Sequence, residues 1–473
     1  MTVDHILAFQ ALVGAPYVLC DETPTSPYLK DWSGDFVSDP NCVLLPKSTQ
    51  EVSAIMAYCH ENRLSVVPQG GNTGLVGGCL ADGPEPMVIL NLKRLNQITK
   101  MDHENNTAEV GAGCIVQVIQ DAAIMADRLF PLSFGAQGSA QIGGAISTNA
   151  GGLNVLRYGM ARDLVLGVEV VLPDGQIIDT RSQLRKDNRG LDMTQLFVGT
   201  EGVLGVITAA SIKLFPGTQS CETALLSVPD LDAVVALFNL ARSACADLLS
   251  AFEFFTDDCL QLALAHQDSL RNPLTDRHEY CVLMELTCSG PLELRALLET
   301  FLAQAAEDAL ITDGALASNI AQSQEFWAIR EAMIEAQAAT GRHLRTDVSV
   351  PITSVPAFIT AATTAVTDEH PDWQILAYGH VGDGNIHFNA LPPAGLDDTD
   401  RSQTIKRLLG QIYEVVDRFD GSISAEHGIG RNRLEAHLKR QSPVERSIMM
   451  SMKALLDPKS ILNPGCLLPA PNR

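Results

Sequence analysis

Leu64-Ser65-Val66-Val67-Pro68-Gln69-Gly70-Gly71-Asn72-Thr73-Gly74-Leu75-Val76-Gly77-Gly78 is a short apolar strand that runs straight into a glycine-rich loop. Five glycines within residues 70–78 let the backbone turn with positive φ and present successive N–H groups to an anion. The expected occupant is a phosphate or pyrophosphate; a loop that is merely flexible fits less well, because it follows a buried strand directly. No Gly-Lys-Ser/Thr closes it, so it is not a Walker loop. Gly111-Ala112-Gly113 lacks the third glycine of a G-x-G-x-x-G fingerprint, which disfavours an NAD-type dinucleotide fold. Upstream, Val43-Leu44-Leu45 reads as a strand, Ser48-Thr49-Gln50-Glu51 as a capping box, and Val52, Ile55, Met56 and Cys59 as one helical face. The loop therefore closes a β-α-β unit.

Strands are expected at Met87 to Leu92 and Ala108 to Gly111, then a helix from Ile115 to Asp127. A second glycine-rich segment, Ser133 to Gly152, is nearly free of bulky or charged side chains. Such a backbone can lie flat against a large planar ligand while Ser, Thr and Asn bond its polar edge. Leu166 to Leu172 leads into the turn Pro173-Asp174-Gly175, and a third loop, Gly199-Thr200-Glu201-Gly202-Val203-Leu204-Gly205-Val206-Ile207-Thr208, ends this half. Phe215-Pro216-Gly217 is the candidate boundary. Beyond it strands at Leu225 to Val228, Phe252 to Phe255 and Cys281 to Leu286, with helices at Asp230 to Cys245, Pro291 to Ala305 and Gln324 to Ala338, predict an α+β domain with an antiparallel sheet. The expected division is a lead-in (1–36, broken by Pro24, Pro27 and Gly34), a first domain (37–216), a second (217–420) and a C-terminal helical segment (421–473).

Two further stretches carry candidate chemistry. In Tyr378-Gly379-His380-Val381-Gly382-Asp383-Gly384-Asn385-Ile386-His387-Phe388-Asn389, Asp383-Gly384 signals a two-residue turn. Pairing outward from it sets His380 opposite His387, with Cβ atoms about 4.5 to 5.5 Å apart and Tyr378 and Asn389 on the same face. Two imidazoles so placed can hold a metal ion; a hairpin with two surface histidines accounts for the spacing equally well. Ser424-Ala425-Glu426-His427-Gly428-Ile429-Gly430 adds a carboxylate and an imidazole, and His-His-Glu with one open position is a usual catalytic zinc set. Spacing alone does not bring the two stretches together.

Composition sets the limits. The 473 residues suffice for two or three domains, and 46% hydrophobic with 19% charged content is that of an ordinary globular chain. A net charge of -23 argues against nucleic acid or anionic membrane as partner, so an acidic substrate would need locally placed arginines. The first twenty residues show no basic n-region, and no apolar run approaches a membrane span. Eleven cysteines without a C-x-x-C pair read as buried thiols in a reducing compartment, and a cytoplasmic location is expected.

Taken in order, the two glycine-rich segments, Gly199-Thr200-Glu201-Gly202, the His-x6-His hairpin, the Glu426-His427-Gly428-Ile429-Gly430 turn and Asn463-Pro464-Gly465 resemble FAD-dependent D-2-hydroxy-acid dehydrogenases of the vanillyl-alcohol oxidase type, over about residues 37 to 470. The branch that looks most similar is D-2-hydroxyglutarate dehydrogenase, with D-lactate and glycolate enzymes nearby. The resemblance implies a two-part FAD-binding domain plus a substrate domain. It implies FAD contacts from Pro68, Gly70, Gly71, Asn72, Thr73, Gly74, Gly77 and Gly78. Further contacts are implied from Gly135, Ser139, Gly143, Gly144, Ser147, Thr148, Asn149, Gly151 and Gly152, from Glu201, Gly202, Gly205, Val206 and Ile207, and from Asn463. Where some relatives attach FAD through a histidine this chain has Asn72, so a non-covalent flavin is expected. The resemblance assigns His380, His387 and Glu426 to a divalent metal, zinc the expected ion, His427 to the base, and Arg330, Arg345 and Asn389 to substrate. Two departures matter: Ile334 stands where D-2-hydroxyglutarate enzymes have threonine, and Arg345 where they have lysine. A hydroxyl donor is lost, and a more apolar substrate comes into view. The electron acceptor, an electron-transfer flavoprotein, a quinone or a cytochrome, stays open, as does the oligomeric state, with a homodimer among the candidates. The rivals are a non-catalytic flavin subunit and the alkyl-dihydroxyacetone-phosphate synthase branch, whose histidine-rich stretch is not found here.

Overall fold

The computed structural model describes residues 1–20, 25–34, 36–83 and 86–470; Pro24, named above as a breaker, lies outside them. The chain forms two units, one of residues 1–151, 159–217 and 426–473, the other of residues 152–158 and 218–425. Helices mix with mainly antiparallel sheets in the α+β class expected.

In the first unit a four-stranded sheet runs in the order Val18–Leu19, Cys42–Leu44, Met87–Asn91, Ser65–Gln69, the last three parallel. Helix Thr49–Asn62 makes the crossover that parallel strands need. Its Ser48 cap accepts from the Glu51 N–H at 3.2 Å, while the Glu51 carboxylate reaches back to the Lys47 N–H at 2.8 Å, one residue further than a strict capping box. A second sheet, all antiparallel, runs Ile98–Asp102, Thr107–Gly111, Val206–Lys213, Val165–Val171, Ile177–Asp179. The C-terminal stretch returns beside Ser65–Gln69: the Val66 N–H donates to the Ile461 carbonyl and the Asn463 N–H to the Val66 carbonyl, both at 2.8 Å.

The second unit is built on a seven-stranded antiparallel sheet in the order Asp313–Leu316, Ser220–Val228, Tyr280–Cys288, Leu249–Thr256, Gln374–His380, Asn385–Leu391, Val348–Ser349. Helices Leu231–Cys245, Leu294–Glu307, Ile320–Ala339, Val355–Thr367 and Asp398–Arg418 belong to it. Phe254, Val282, Leu283 and Met284 are fully buried in its central strands, the state that a sheet covered on both faces imposes.

The histidine hairpin departs from its expected register. Tyr378, not His380, lies opposite His387, and Leu376 lies opposite Asn389. The connection is not a two-residue turn: Val381–Asp383 forms one 3-10 turn, and Gly384 takes φ +81 with its N–H on the Val381 carbonyl at 3.1 Å. The correction shifts the pairing by two residues. Side chains alternate faces with period two, so a two-residue shift leaves His380 and His387 on one face, now diagonal rather than opposite.

Candidate active site

Within the first unit, no backbone N–H from Gly70 through Val76 donates a hydrogen bond among the described residues. An uninterrupted run of unpartnered amides at the end of a buried strand is the donor array that a pyrophosphate requires. The Gly77 amide is outside that array, because it donates to Asp31 Oδ2 at 3.0 Å. Asn72, at φ +59, points its amide nitrogen at the Lys30 and Pro27 carbonyls and so braces the loop. A Cβ on Gly71 would sit 2.1 Å from the Ser139 carbonyl oxygen, so the first two glycine-rich segments touch there through bare backbone.

Within the second segment, Ile142–Ser147 is a helix. Its two adjacent glycines have opposite settings. Gly143 is pressed onto Ala112, where a Cβ would meet another Cβ at 2.6 Å, whereas a Cβ on Gly144 would have nothing within 4 Å. Gly135 and Gly138 are equally open. The Ser147 and Thr148 hydroxyls donate to the Gly143 and Gly144 carbonyls, so towards a ligand they offer lone pairs only. Asn149, at φ +50, spends its Oδ1 on the Arg162 N–H. Gly151 and Gly152 fall at the change from the first unit to the second.

Several residues assigned to FAD also fasten the loops that would hold it. The Glu201 carboxylate is buried and accepts from the Ile429 and Gly430 N–H groups at 2.8 and 2.7 Å. Burial pushes its pKa up against those two hydrogen bonds. Asn463, 1% exposed, donates to the Gly78 and Glu201 carbonyls at 2.9 and 2.8 Å. Gly202 approaches Pro68, and a Cβ on Gly205 would lie 2.4 Å from Val170, which is a packing constraint. Val206 and Ile207 are strand residues with side chains in the core, so any contact with a cofactor falls to their main chain. Sequence reasoning missed Arg431. Its guanidinium binds the Gly77 and Gly78 carbonyls, the Asn463 amide oxygen and the Pro464 carbonyl at 3.0 to 3.3 Å. The legible signal was an arginine set directly behind the Gly428-Ile429-Gly430 turn. Glu426 and His427 precede that turn, both half-buried, and Gly430 is forced close to the Val76 carbonyl at φ +54. An amide cradle with open glycines beside it fits a flat, diphosphate-bearing cofactor.

Within the second unit, one face of the sheet carries the other candidates. His380 and His387 have ring centroids 5.8 Å apart at 80°, and a ring nitrogen of each within 4.8 Å of the other, a spacing that one ion can bridge. Tyr378 packs on His387 with centroids 4.9 Å apart. Glu253, on the neighbouring strand opposite His380, places Oε1 2.6 Å from His380 Nδ1 and Oε2 3.0 Å from Arg330 Nε. Burial alone would raise the Glu253 carboxyl; the His380 and Arg330 charges outweigh it and hold the pKa at about 2. Arg330 is 4% exposed, with its guanidinium carbon 4.8 Å above the Tyr378 ring. Asn389 uses both ends of its amide inside the protein, accepting from the Thr346 N–H at 3.0 Å and donating to Gln337 at 2.7 Å. Arg345 is half-exposed between Leu344, bridged to Ala390, and Thr346. Two imidazoles, one with Nδ1 already committed to Glu253, are a donor pair of the type that binds a divalent ion.

Residues 40–181 match the FAD binding domain family, and residues 218–467 the family of FAD linked oxidases, C-terminal domain. A "Probable D-2-hydroxyglutarate dehydrogenase, mitochondrial" of Oryza sativa subsp. indica is 39% identical over 98% of this chain and 82% of its own length. The D-2-hydroxyglutarate dehydrogenase of Xanthomonas citri pv. viticola is 34% identical over 99% and 97%. Among solved structures, p-cresol methylhydroxylase with substrate bound superposes with a TM-score of 0.79 at 16% identity, covering 99% of this chain and 97% of that one. An alkyldihydroxyacetonephosphate synthase does so at 0.77 and 16%, covering 98% and 85%. With the two family matches, the fold gives the class: a two-part FAD-binding fold like that of p-cresol methylhydroxylase. Within that class the chain belongs to the FAD-dependent D-2-hydroxy-acid dehydrogenase family, and it is an FAD-linked enzyme acting on the CH–OH group of its donor.

Proposed function

We propose that the enzyme oxidises D-2-hydroxyglutarate to the 2-keto acid, assisted by a divalent metal at His380, His387 and Glu426, and passes the electrons to an electron-transfer flavoprotein, a quinone or a cytochrome rather than NAD. The observation that carries the substrate is near-full-length identity to proteins named for it. Support for the metal comes from the two imidazoles of one sheet face and from chain connectivity. The Ala425 N–H is fixed on the Asp347 carbonyl at 3.2 Å, Asp347 Oδ1 lies 4.0 Å from His387 Nδ1, and Glu426 is the next residue along the chain.

When bound, FAD supplies the acceptor of a hydride and the metal supplies a Lewis acid that lowers the pKa of a coordinated hydroxyl. His427 would take the hydroxyl proton, a general-base role open to an imidazole. Arg330 holds the carboxylate with its η nitrogens, since Nε is spent on Glu253. Asn389 holds Gln337 and Tyr378, the ring of which lies beneath that guanidinium, and Arg345 is the second cation for a dicarboxylate. The flavin is held without a covalent bond, because the Asn72 amide has no nucleophilic ring nitrogen. A second reading, a shorter apolar acid such as D-lactate, is favoured by Ile334, which lies one helical turn beyond Arg330 and packs on the apolar core.

Dye-coupled turnover on a panel of D-2-hydroxy acids tests both, with metal content measured on the same preparation. Highest kcat/KM on D-2-hydroxyglutarate with about one metal per chain is expected. A preference for D-lactate selects the second reading, and full turnover by a metal-free preparation removes the metal.

A further inference from the structure

The strand Leu249–Thr256 reads Leu-Ser-Ala-Phe-Glu-Phe-Phe-Thr, and every position but the last is buried. Glu253 is its one ionisable residue, 1% exposed, between Phe252 and Phe254. A carboxylate in such a strand is a weak source of stability, because desolvation offsets most of the attraction of its partners and an apolar residue would serve as well. Its geometry supplies a reason for it. The sheet register sets Glu253 opposite His380, and the two oxygens are divided: Oε1 meets His380 Nδ1 at 2.6 Å, Oε2 meets Arg330 Nε at 3.0 Å. Arg330 in turn lies over the Tyr378 ring, and Tyr378 packs on His387.

We infer that Glu253 is a positioning residue for both halves of the site, fixing the His380 ring so that ligation falls to Nε2 and fixing Arg330 so that its η nitrogens meet the substrate carboxylate. The inference rests on the metal reading above. A carboxylate fits because both of its neighbours are N–H donors and it offers two acceptors. A glutamine of the same shape sets an NH2 group against one of those donors, so Glu253→Gln removes the fit with little change of volume. A carboxylate on the outer nitrogen of a ligating imidazole fixes its tautomer and raises its basicity, and losing it costs about 10- to 100-fold in metal affinity.

The test uses the purified holoprotein. Glu253→Gln is expected to keep its flavin, to lose about 10- to 100-fold in zinc affinity against a competing chelator, and to show a raised KM for the hydroxy acid at saturating zinc. Wild-type zinc affinity and KM in a folded Glu253→Gln protein overturn the inference. Should that variant fail to fold, histidine-labelled wild-type protein answers the same question by NMR. Zinc on His380 Nε2 with a strongly hydrogen-bonded Nδ1 proton is expected, and zinc on Nδ1 overturns it. Failure of the underlying reading is seen separately: zinc that neither His380→Ala nor His387→Ala displaces is bound elsewhere.

Discussion

Gly71 and Gly144 are both missing a side chain, for different reasons. A Cβ on Gly71 collides with the Ser139 carbonyl, so Gly71→Ala is expected to lower the melting temperature with or without flavin. A Cβ on Gly144 meets no protein atom, and alanine is about 0.5 to 1 kcal/mol better than glycine inside a helix. Gly144→Ala is therefore expected to raise the melting temperature of the flavin-free protein while weakening flavin retention; unchanged retention would mean that no ligand occupies that space. Glu253 gives the pH dependence. Its carboxyl is held at about 2 in the fold, so its contribution is present above the ordinary carboxylate range and lost as pH falls towards that value. In metal-free thermal unfolding, the melting-temperature gap between wild type and Glu253→Gln is expected to close as the pH is lowered through this window. At this scale the sequence displayed the groups and hid their partners. The lone glutamate among phenylalanines was visible, but its pairing with His380 and Arg330 joins residues 127 and 77 positions away, a separation no spacing rule reaches.

Elements were legible wherever periodicity and punctuation agreed, as in helix Thr49–Asn62 behind Ser48 and the hairpin around Pro173-Asp174-Gly175. Helix Val355–Thr367 was not, because its threonines argue for strand. They are accommodated by donating to carbonyls one turn back, Thr360 to Pro356 and Thr364 to Thr360 at 2.9 Å, while Phe358, Ile359 and Ala362 pack inward. The two-residue error in the histidine hairpin arose because Asp383-Gly384 closes a longer connection, and the alternation of the strands preserved the face regardless. The C-terminal helix Pro443–Leu456 carries its own clamp. Buried Lys453 donates to Asp457, to the Val203 carbonyl and to the Leu462 carbonyl at 2.6 to 2.8 Å. Lys453→Met leaves the buried Asp457 carboxylate without its cation, held by the Ile461 and Leu462 N–H groups, and is expected to cost about 3–5 kcal/mol in denaturant unfolding. Because the released segment ends in Asn463, faster flavin loss should accompany it. A fall in stability with flavin binding untouched would separate the tail from the cofactor loops.

For the molecule as a whole, the glycine segments gave the flavoprotein class, and sequence order gave the family that the matching relatives establish. The interior role of Glu201, Asn463 and Arg431 was not visible, since a residue that fastens a cofactor loop and one that touches the cofactor have the same chemistry until partners are known. Acid precipitation of the holoprotein should leave the yellow colour in the supernatant; colour in the pellet would mean a covalent flavin. His427→Ala should retain metal and flavin and lose most of kcat, while full activity would remove it as the base. The most direct measurement is anaerobic mixing of the oxidised flavoprotein with D-2-hydroxyglutarate while the flavin absorbance is followed, before and after chelation. The expected result is rapid stoichiometric bleaching that chelation abolishes and zinc restores. A flavin that stays oxidised with every D-2-hydroxy acid tried, or one that bleaches as fast without metal, would contradict it.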